Sequence, residues 1–400
     1  MTLTQHPELP PTPRTGDGLP LRVRPEWWRR LVEEPDASQA GDLYASAERL
    51  PLTSPATTRG GAELSEVTFL AEAEPDTEWI VHLNGITDRR RETLRPCRLE
   101  RVPGTRLLGG TFLIPTDAVL SYRLTDVTGL PDDAGGERSG WLEVHRRGIP
   151  DPGNPHRMPT PLGGVASVWH GPDAPWSGWP VSEVDGWVET SCDGVTVRVL
   201  PGNERVVVCF DAEYWRDLCL GAAVREAGLR HTLVQIGSGT REERAVALTS
   251  PEHAAEHLRR GLRAASAVLG REVLHADVVA GESFGGLAVA WLLARHPELV
   301  RAGVVQSGSF WHRAGGRWGD EGPGDLLRLL QQGGADVTRP VVVQVGTEED
   351  LLLPLNRAYR DALLQQGAQL GYREVRGGHD YAWWRAGLIE ALGELERLQR

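Results

Sequence analysis

Four hundred residues carrying a formal charge of −12 are too many for one ordinary hydrophobic core and too acidic for a general phosphate-backbone binder. With 40% hydrophobic and 24% charged residues, and no apolar run near the roughly 18 residues that a membrane span needs, the composition predicts a globular chain with no membrane segment and no nucleic-acid partner. All 43 basic residues are arginine, which excludes lysine-dependent chemistry such as a P-loop, a Schiff base or a Ser-Lys dyad.

In chain order, residues 1–22 are rich in Pro and Thr and read as a disordered tail, without the basic start and apolar stretch of a secretory leader. Residues 23–150 read as an N-terminal all-β sandwich domain. RPEWWRRLVEE (24–34) has helical spacing, and SEVTFLAEA, TEWIVHLNG, GTRLLGGTFLIP, LSYRLTD and WLEVHRR then alternate between Gly, Pro and Asp breaks. Residues 151–165, dense in Pro and Gly, read as a linker. Over 166–400 strand-like runs alternate with helical ones, which predicts an α/β domain with a mostly parallel sheet. Its strands are expected at 166–170, 195–200, 205–210, 231–236, 275–280, 302–307, 340–345 and 372–375. Its helices are expected near 215–227, 253–268, 284–295, 324–332, 354–366 and 383–399. Cys97, Cys192, Cys209 and Cys219 form no C-x-x-C pair and read as reduced thiols of a cytoplasmic protein.

The chemistry-bearing feature is Gly281-Glu-Ser283-Phe-Gly285, with a Val-rich run before it and a helical run after it. This is the context of a nucleophile elbow, in which a strand turns sharply into a helix and presents a serine hydroxyl. Such a serine needs a base to take its proton and an acid to orient the base, in the chain order Ser, acid, His. His379 follows the last predicted strand, and the carboxylate-rich loop Gly346-Thr-Glu-Glu-Asp350 follows the strand before it. Glu348, Glu349 and Asp350 compete as the acid, with Glu349 ahead of Asp350. Two aimed N–H groups must hold the oxyanion. Phe284 supplies one, and the loop Asp211-Ala-Glu-Tyr-Trp215 supplies the other, from Glu213 or alternatively Ala212.

Two motifs point elsewhere and are set aside. Gly237-Ser-Gly239 follows a strand but has Glu242 where a dinucleotide loop has its third glycine, so it reads as a turn. His253 and His257 have i,i+4 spacing but no zincin pattern, so they read as a solvent-facing helix side. No metal site is expected.

The blocks Gly281-Glu-Ser-Phe-Gly-Gly-Leu, Gln306-Ser-Gly-Ser-Phe-Trp311 and Gly377-Gly-His-Asp-Tyr-Ala-Trp-Trp-Arg-Ala-Gly387 resemble the enterochelin (enterobactin) esterase family, an esterase-D-like branch of the α/β-hydrolases. Asp211–Trp215, Arg241–Arg244, Glu66–Leu70, Thr87–Arg89, Tyr122–Leu124 and Asp151–Arg157 are similar to further family segments, so the resemblance spans roughly residues 25–395. It implies an early-set-like β domain before the hydrolase, with Ser283 as nucleophile, His379 as base and Glu349 as acid. The implied reaction hydrolyses the trilactone of a catecholate siderophore such as ferric enterobactin and frees iron in the cytoplasm. No cofactor is implied, since iron enters only with the small-molecule substrate. An anionic ferric catecholate would call on arginines and indole rings, with Arg89, Arg157, Arg241, Arg385, Trp215, Trp311 and Trp383 as candidates and Arg90, Arg91 and Trp384 beside them. Ala212 stands where the family has glycine, so a restricted backbone is expected there. The alternatives are a generic carboxylesterase or acyltransferase of the same type, and a siderophore-binding protein without turnover.

Overall fold

The computed structural model describes residues 2–398 apart from 48, 89–91, 162, 177, 318–319 and 321. The chain divides into two compact units, one of Leu9–Ser177 with Arg376–Trp383, the other of Met1–Glu8, Gly178–Val375 and Trp384–Arg400.

The first unit contains β1 (Arg22–Val23), α1 (Glu26–Glu33), α2 (Ala37–Ser46), β2 (Leu52–Arg59), β3 (Ala62–Glu72), β4 (Trp79–Leu83), β5 (Glu100–Arg101), β6 (Leu107–Pro115), β7 (Val119–Asp126), α3 (Arg138–Arg147), β8 (Gly148–Ile149), β9 (Arg157–Pro159) and β10 (Val165–His170). Its strands form two antiparallel sheets, β1-β6-β3-β2 with β5, and β4-β7-β10-β9 with β8. Alternate residues of both sheets meet in one core: Val67 and Phe69 of β3 and Phe112 and Ile114 of β6, with Val81 of β4, Leu120 and Tyr122 of β7 and Trp169 of β10. This is the β-sandwich that the short alternating runs predict.

The second unit contains β11 (Val188–Cys192), β12 (Val195–Leu200), β13 (Val206–Phe210), α4 (Ala212–Trp215), α5 (Leu220–Glu226), β14 (Thr232–Ile236), α6 (Arg241–Leu248), α7 (Pro251–Leu269), β15 (Val278–Glu282), α8 (Phe284–Arg295), β16 (Gly303–Gln306), α9 (Asp325–Gln331), β17 (Val341–Gly346), α10 (Leu352–Gln365), β18 (Leu370–Val375) and α11 (Tyr381–Leu398). They build one sheet in the order β11-β12-β14-β13-β15-β16-β17-β18, parallel from β14 onward. Strands β13, β14, β16 and β17 are buried along their whole length, as the continuous Val runs require. The order reverses at β13, because the chain leaves it for β14 on one side and returns to β15 on the other. In an open α/β sheet such a reversal opens a crevice at the carboxyl ends of the strands, here between the loops after β13 and β15.

Three expectations are corrected. WLEVHRR is helical rather than extended. Trp141 and Val144 of α3 are buried three residues apart, and Glu143 pairs with Arg146 and Arg147 on the outer side. The run at 166–170 does not open the α/β sheet; as β10 it pairs antiparallel with β7. Ser167 Oγ accepts the Asp151 N–H at 2.9 Å and Asn154 Nδ2 donates to the Val168 carbonyl at 3.0 Å, which ties β10 to the presumed linker. The tail, finally, is ordered at its start. The His6 N–H donates to the Tyr372 carbonyl at 2.9 Å and the Tyr372 N–H to Thr4 at 3.0 Å, so residues 4–6 extend the exposed edge of β18.

Candidate active site

Ser283 sits between β15 and α8 with φ 58° and ψ −116°, a conformation that costs a non-glycine residue on the order of 1–3 kcal/mol. The surrounding backbone imposes it. The Ser283 N–H donates to the Gln306 carbonyl and its own carbonyl accepts from Leu287 and Ser309, each at 3.0 Å. The turn also requires glycine at 281, where a Cβ would lie 2.4 Å from the carbonyl carbon of Gly285. The half-buried Ser283 Oγ is 3.3 Å from Oγ of the buried Ser309.

The first N–H groups of a helix lack intrahelical acceptors and point outward. Phe284 opens α8, and its N–H makes no hydrogen bond among the described residues. The same is true of Ala212 and Glu213 at the start of α4, whereas the N–H groups of Tyr214 and Trp215 are taken by the Asp211 carbonyl. Both helices thus bring uncommitted donors to the crevice between β13 and β15. The expected restriction at Ala212 does not arise, because Ala212 is helical and the positive φ, 63°, falls on Asp211.

Glu349, after β17, is buried, and its Oε1 accepts from Ser307 Oγ at 2.5 Å and from the Gly346 N–H at 2.8 Å. Trp384 Nε1 donates to that same Ser307 Oγ at 3.0 Å. Asn356 Nδ2 and Oδ1 grip the carbonyl and N–H of Gly308, which fixes the 307–309 turn on α10. Asp350 is exposed, and Glu348 is buried with its carboxylate accepting from Thr347 Oγ1. Through the Gly346 N–H, Glu349 is tied to the end of β17.

His379 lies in the loop between β18 and α11, exposed and flanked by the buried Gly378 and Asp380. That loop belongs by its contacts to the β-sandwich unit. Within that unit, Val119 N–H donates to Arg376, Ser121 Oγ donates to Asp380, Trp383 Nε1 donates to Gly378 at 2.7 Å, and Gly378 packs where a Cβ would collide with Asn84.

The other candidates separate by exposure. Trp215 and Trp383 are fully buried and offer no ring face for stacking, because their indoles fill the interior instead. Trp384 is buried as well and serves Ser307. Arg385 is buried with its guanidinium 5.0 Å from the centre of the Trp179 ring. Arg157 and Arg241 are exposed on β9 and α6. Trp311 is buried but not fully, at 7% exposure, and joins Phe284 and His312 in a three-ring cluster with centroids 5.6–5.8 Å apart, directly beside Ser283. Burial, opposed in part by Asp325, pushes the His312 pKa down and so favours its neutral form. Arg89, Arg90 and Arg91 lie outside the described residues. His257 does not face solvent: it is buried and stacked on Phe210, 5.9 Å between centroids, while His253 is exposed. No group of three or more His, Cys, Asp or Glu able to hold a metal occurs among the described residues. Nor is any described helix long and apolar enough to cross a membrane.

Sequence reasoning did not single out Ser307, Ser309 or Gln344. Ser307 has a positive φ of 49°, and Gln306 Nε2 donates to Gln344 Oε1 at 2.7 Å beneath it. The signal for the two serines was present only as the Gln306-Ser-Gly-Ser block, three buried polar positions at the end of a Val-rich strand, and that for Gln344 as one polar residue inside the Val run of β17.

Comparison with known proteins adds to this geometry. Residues 66–179 match the family model for the N-terminal part of enterochelin esterase, and residues 262–395 match the model named Esterase. The chain is 27% identical to the iron(III) enterobactin esterase of Escherichia coli O6:H1 strain CFT073, over 83% of this chain and 92% of that one. It is 26% identical to the iron(III) salmochelin esterase of the same strain, over 89% and 93%. In fold it is similar to the enterobactin esterase of Shigella flexneri crystallised in the presence of enterobactin, with a TM-score of 0.73 at 24% identity, over 95% of this chain and all of that one. One model thus matches most of the β-sandwich, the other the second half of the hydrolase unit, and these enterobactin and salmochelin esterases are similar to the chain over nearly its full length.

Proposed function

We propose that this protein is a serine esterase that hydrolyses the ester bonds of a catecholate siderophore trilactone such as ferric enterobactin. The observation that carries the reading is Ser283, held at positive φ between β15 and α8 beside the uncommitted N–H of Phe284. His379, from the loop after β18, takes the proton of Ser283 Oγ as the oxygen attacks an ester carbonyl, and Glu349 orients that imidazole. The carbonyl oxygen becomes an oxyanion held by the N–H groups of Phe284 and of Glu213, with Ala212 as the alternative donor. His379 returns the proton to the departing seryl hydroxyl of the trilactone. It then takes a proton from water as the water attacks the acyl-serine, and passes it to Ser283 Oγ as the acyl–oxygen bond breaks and the carboxylic acid leaves. Each cycle adds one water across one ester bond.

No group in this sequence of steps requires a cofactor; iron travels as part of the substrate and is released inside the cell. Trp311, in the ring cluster beside Ser283, and the exposed Arg241 are the proposed contacts for an aromatic, anionic ligand. A small-molecule substrate is consistent with the relatives named for iron(III) enterobactin and iron(III) salmochelin.

The test is to incubate enterobactin, its ferric complex and a linear dimer with wild type and with Ser283→Ala, and to separate the products chromatographically. Wild type should open the trilactone and Ser283→Ala should not. Tight binding by both with turnover by neither would mean a binding protein instead. Turnover confined to short p-nitrophenyl esters would mean a generic carboxylesterase.

A further inference from the structure

The two proposed oxyanion donors lie on different loops, one after β13 and one after β15, and each must be held to within tenths of an ångström of the other to act together. One side chain joins them. Arg244, on the inner side of α6, donates from Nε to Asp211 Oδ1 at 2.8 Å and from Nη2 to Asp211 Oδ2 at 2.6 Å. Its Nη2 also lies 3.3 Å from the carbonyl oxygen of Glu282, and its guanidinium carbon is 5.6 Å from the centre of the Phe284 ring. A single planar group therefore touches the first residue of the 211–215 loop and the residues on both sides of Ser283. Asp211 is fully buried, and its carboxylate is matched by this fork. The far side of the loop is tied as well, since the Glu213 carboxylate accepts the N–H groups of Ser238 and Gly239 at 3.1 and 2.9 Å. Helix α6 is itself fixed at its start by a reciprocal Thr240–Glu243 capping box.

We infer that Arg244 is a positioning residue for the oxyanion hole. It holds the N–H groups at the start of α4 in register with that of Phe284, and so acts on the developing oxyanion through Asp211 and the elbow rather than by touching substrate. This inference rests on the serine-esterase reading of Ser283. The geometry demands a fork, because a single ammonium point could not engage both Asp211 oxygens and the Glu282 carbonyl in one plane. Since the benefit is realised only when charge develops on the carbonyl oxygen, its loss falls on kcat and leaves KM nearly unchanged.

Three variants are measured with p-nitrophenyl butyrate, which reports the acyl-transfer machinery without siderophore recognition: Arg244→Lys, Arg244→Ala, and the charge-free pair Arg244→Met with Asp211→Asn. The pair avoids leaving Asp211 buried without its partner, the case most prone to unfold. Thermal melting selects the variants that fold like wild type. In those, kcat should fall about 30- to 300-fold with KM within about twofold, near the cost of losing one oxyanion donor. Methylguanidine should restore at least about a tenth of wild-type kcat to Arg244→Ala and nothing to the pair, a response that a loss of packing alone would not give. A folded variant with kcat within about threefold of wild type, or one whose loss lies in KM, overturns the role of Arg244. Wild type that neither turns over the ester nor is labelled at Ser283 by a fluorophosphonate overturns the esterase reading itself, which is a separate outcome.

Discussion

Ser307 donates its hydroxyl hydrogen to Glu349 Oε1 at 2.5 Å while accepting the Trp384 indole N–H at 3.0 Å. Together with the Gly346 N–H, this gives the buried carboxylate two donors that fix its direction. Asp350, by contrast, is exposed. Glu349→Gln should lower kcat by about 10³- to 10⁴-fold, as loss of a triad acid does, and Ser307→Ala by about tenfold. Asp350→Asn should stay within about threefold. Steady-state hydrolysis of the trilactone reads all three, and the reverse ranking of Glu349→Gln and Asp350→Asn would move the acid to position 350.

The backbone at Ser283 predicts a trade of stability for activity. At φ 58° and ψ −116° a glycine is relaxed and an alanine is not. Ser283→Gly and Ser283→Ala should both be inactive, with the glycine variant more stable by about 1 kcal/mol in urea unfolding. Equal midpoints for the two variants would show that the elbow stores no strain.

The two glycines of the motif should differ in tolerance. A Cβ at Gly281 would meet backbone of Gly285 at 2.4 Å, whereas one at Gly285 finds its nearest neighbours, the Asp211 carboxylate and Phe210, at 3.6 Å. Gly281→Ala therefore requires the elbow to open, and should lose activity and at least about 2 kcal/mol of stability. Gly285→Ala should fold with little loss. Far-UV circular dichroism melts beside ester turnover distinguish them, and an active Gly281→Ala would contradict the tight crossing.

His257 carries a pH signature. Burial, opposed in part by Asp211 and reinforced by Arg260, holds its pKa at about 4, below its ordinary 6.5. Between those values the unfolded chain binds the extra proton, so His257 contributes full stability above about pH 6.5 and loses it as the pH falls toward 4. The loss approaches about 3 kcal/mol. Denaturant unfolding at pH 7.5 and 5.0 should show the difference, and His257→Phe, which keeps a ring against Phe210, should flatten it. An unchanged slope in that variant would assign the acid sensitivity to other groups.

What the sequence determined by itself is the local pattern and its order. Val-rich runs buried on both faces gave β13 through β17, Gly281 and Ser283 between a strand and a helix gave the elbow, and the placing of Ser283, Glu349 and His379 after β15, β17 and β18 needed no coordinates. These are legible because a strand's alternation and a turn's glycines are set by neighbours in the chain. The tertiary structure decided everything that depends on partners distant in sequence. It seated Glu349 against Ser307, 42 residues away, and it paired Arg244 with Asp211, 33 residues away. It buried Trp215 and Trp383, gave residues 165–170 to β7, and turned WLEVHRR into a helix around Trp141 and Val144. A short apolar run fits either sheet and a charged residue fits any loop, so only packing and the cost of burying an unpaired charge could select among them.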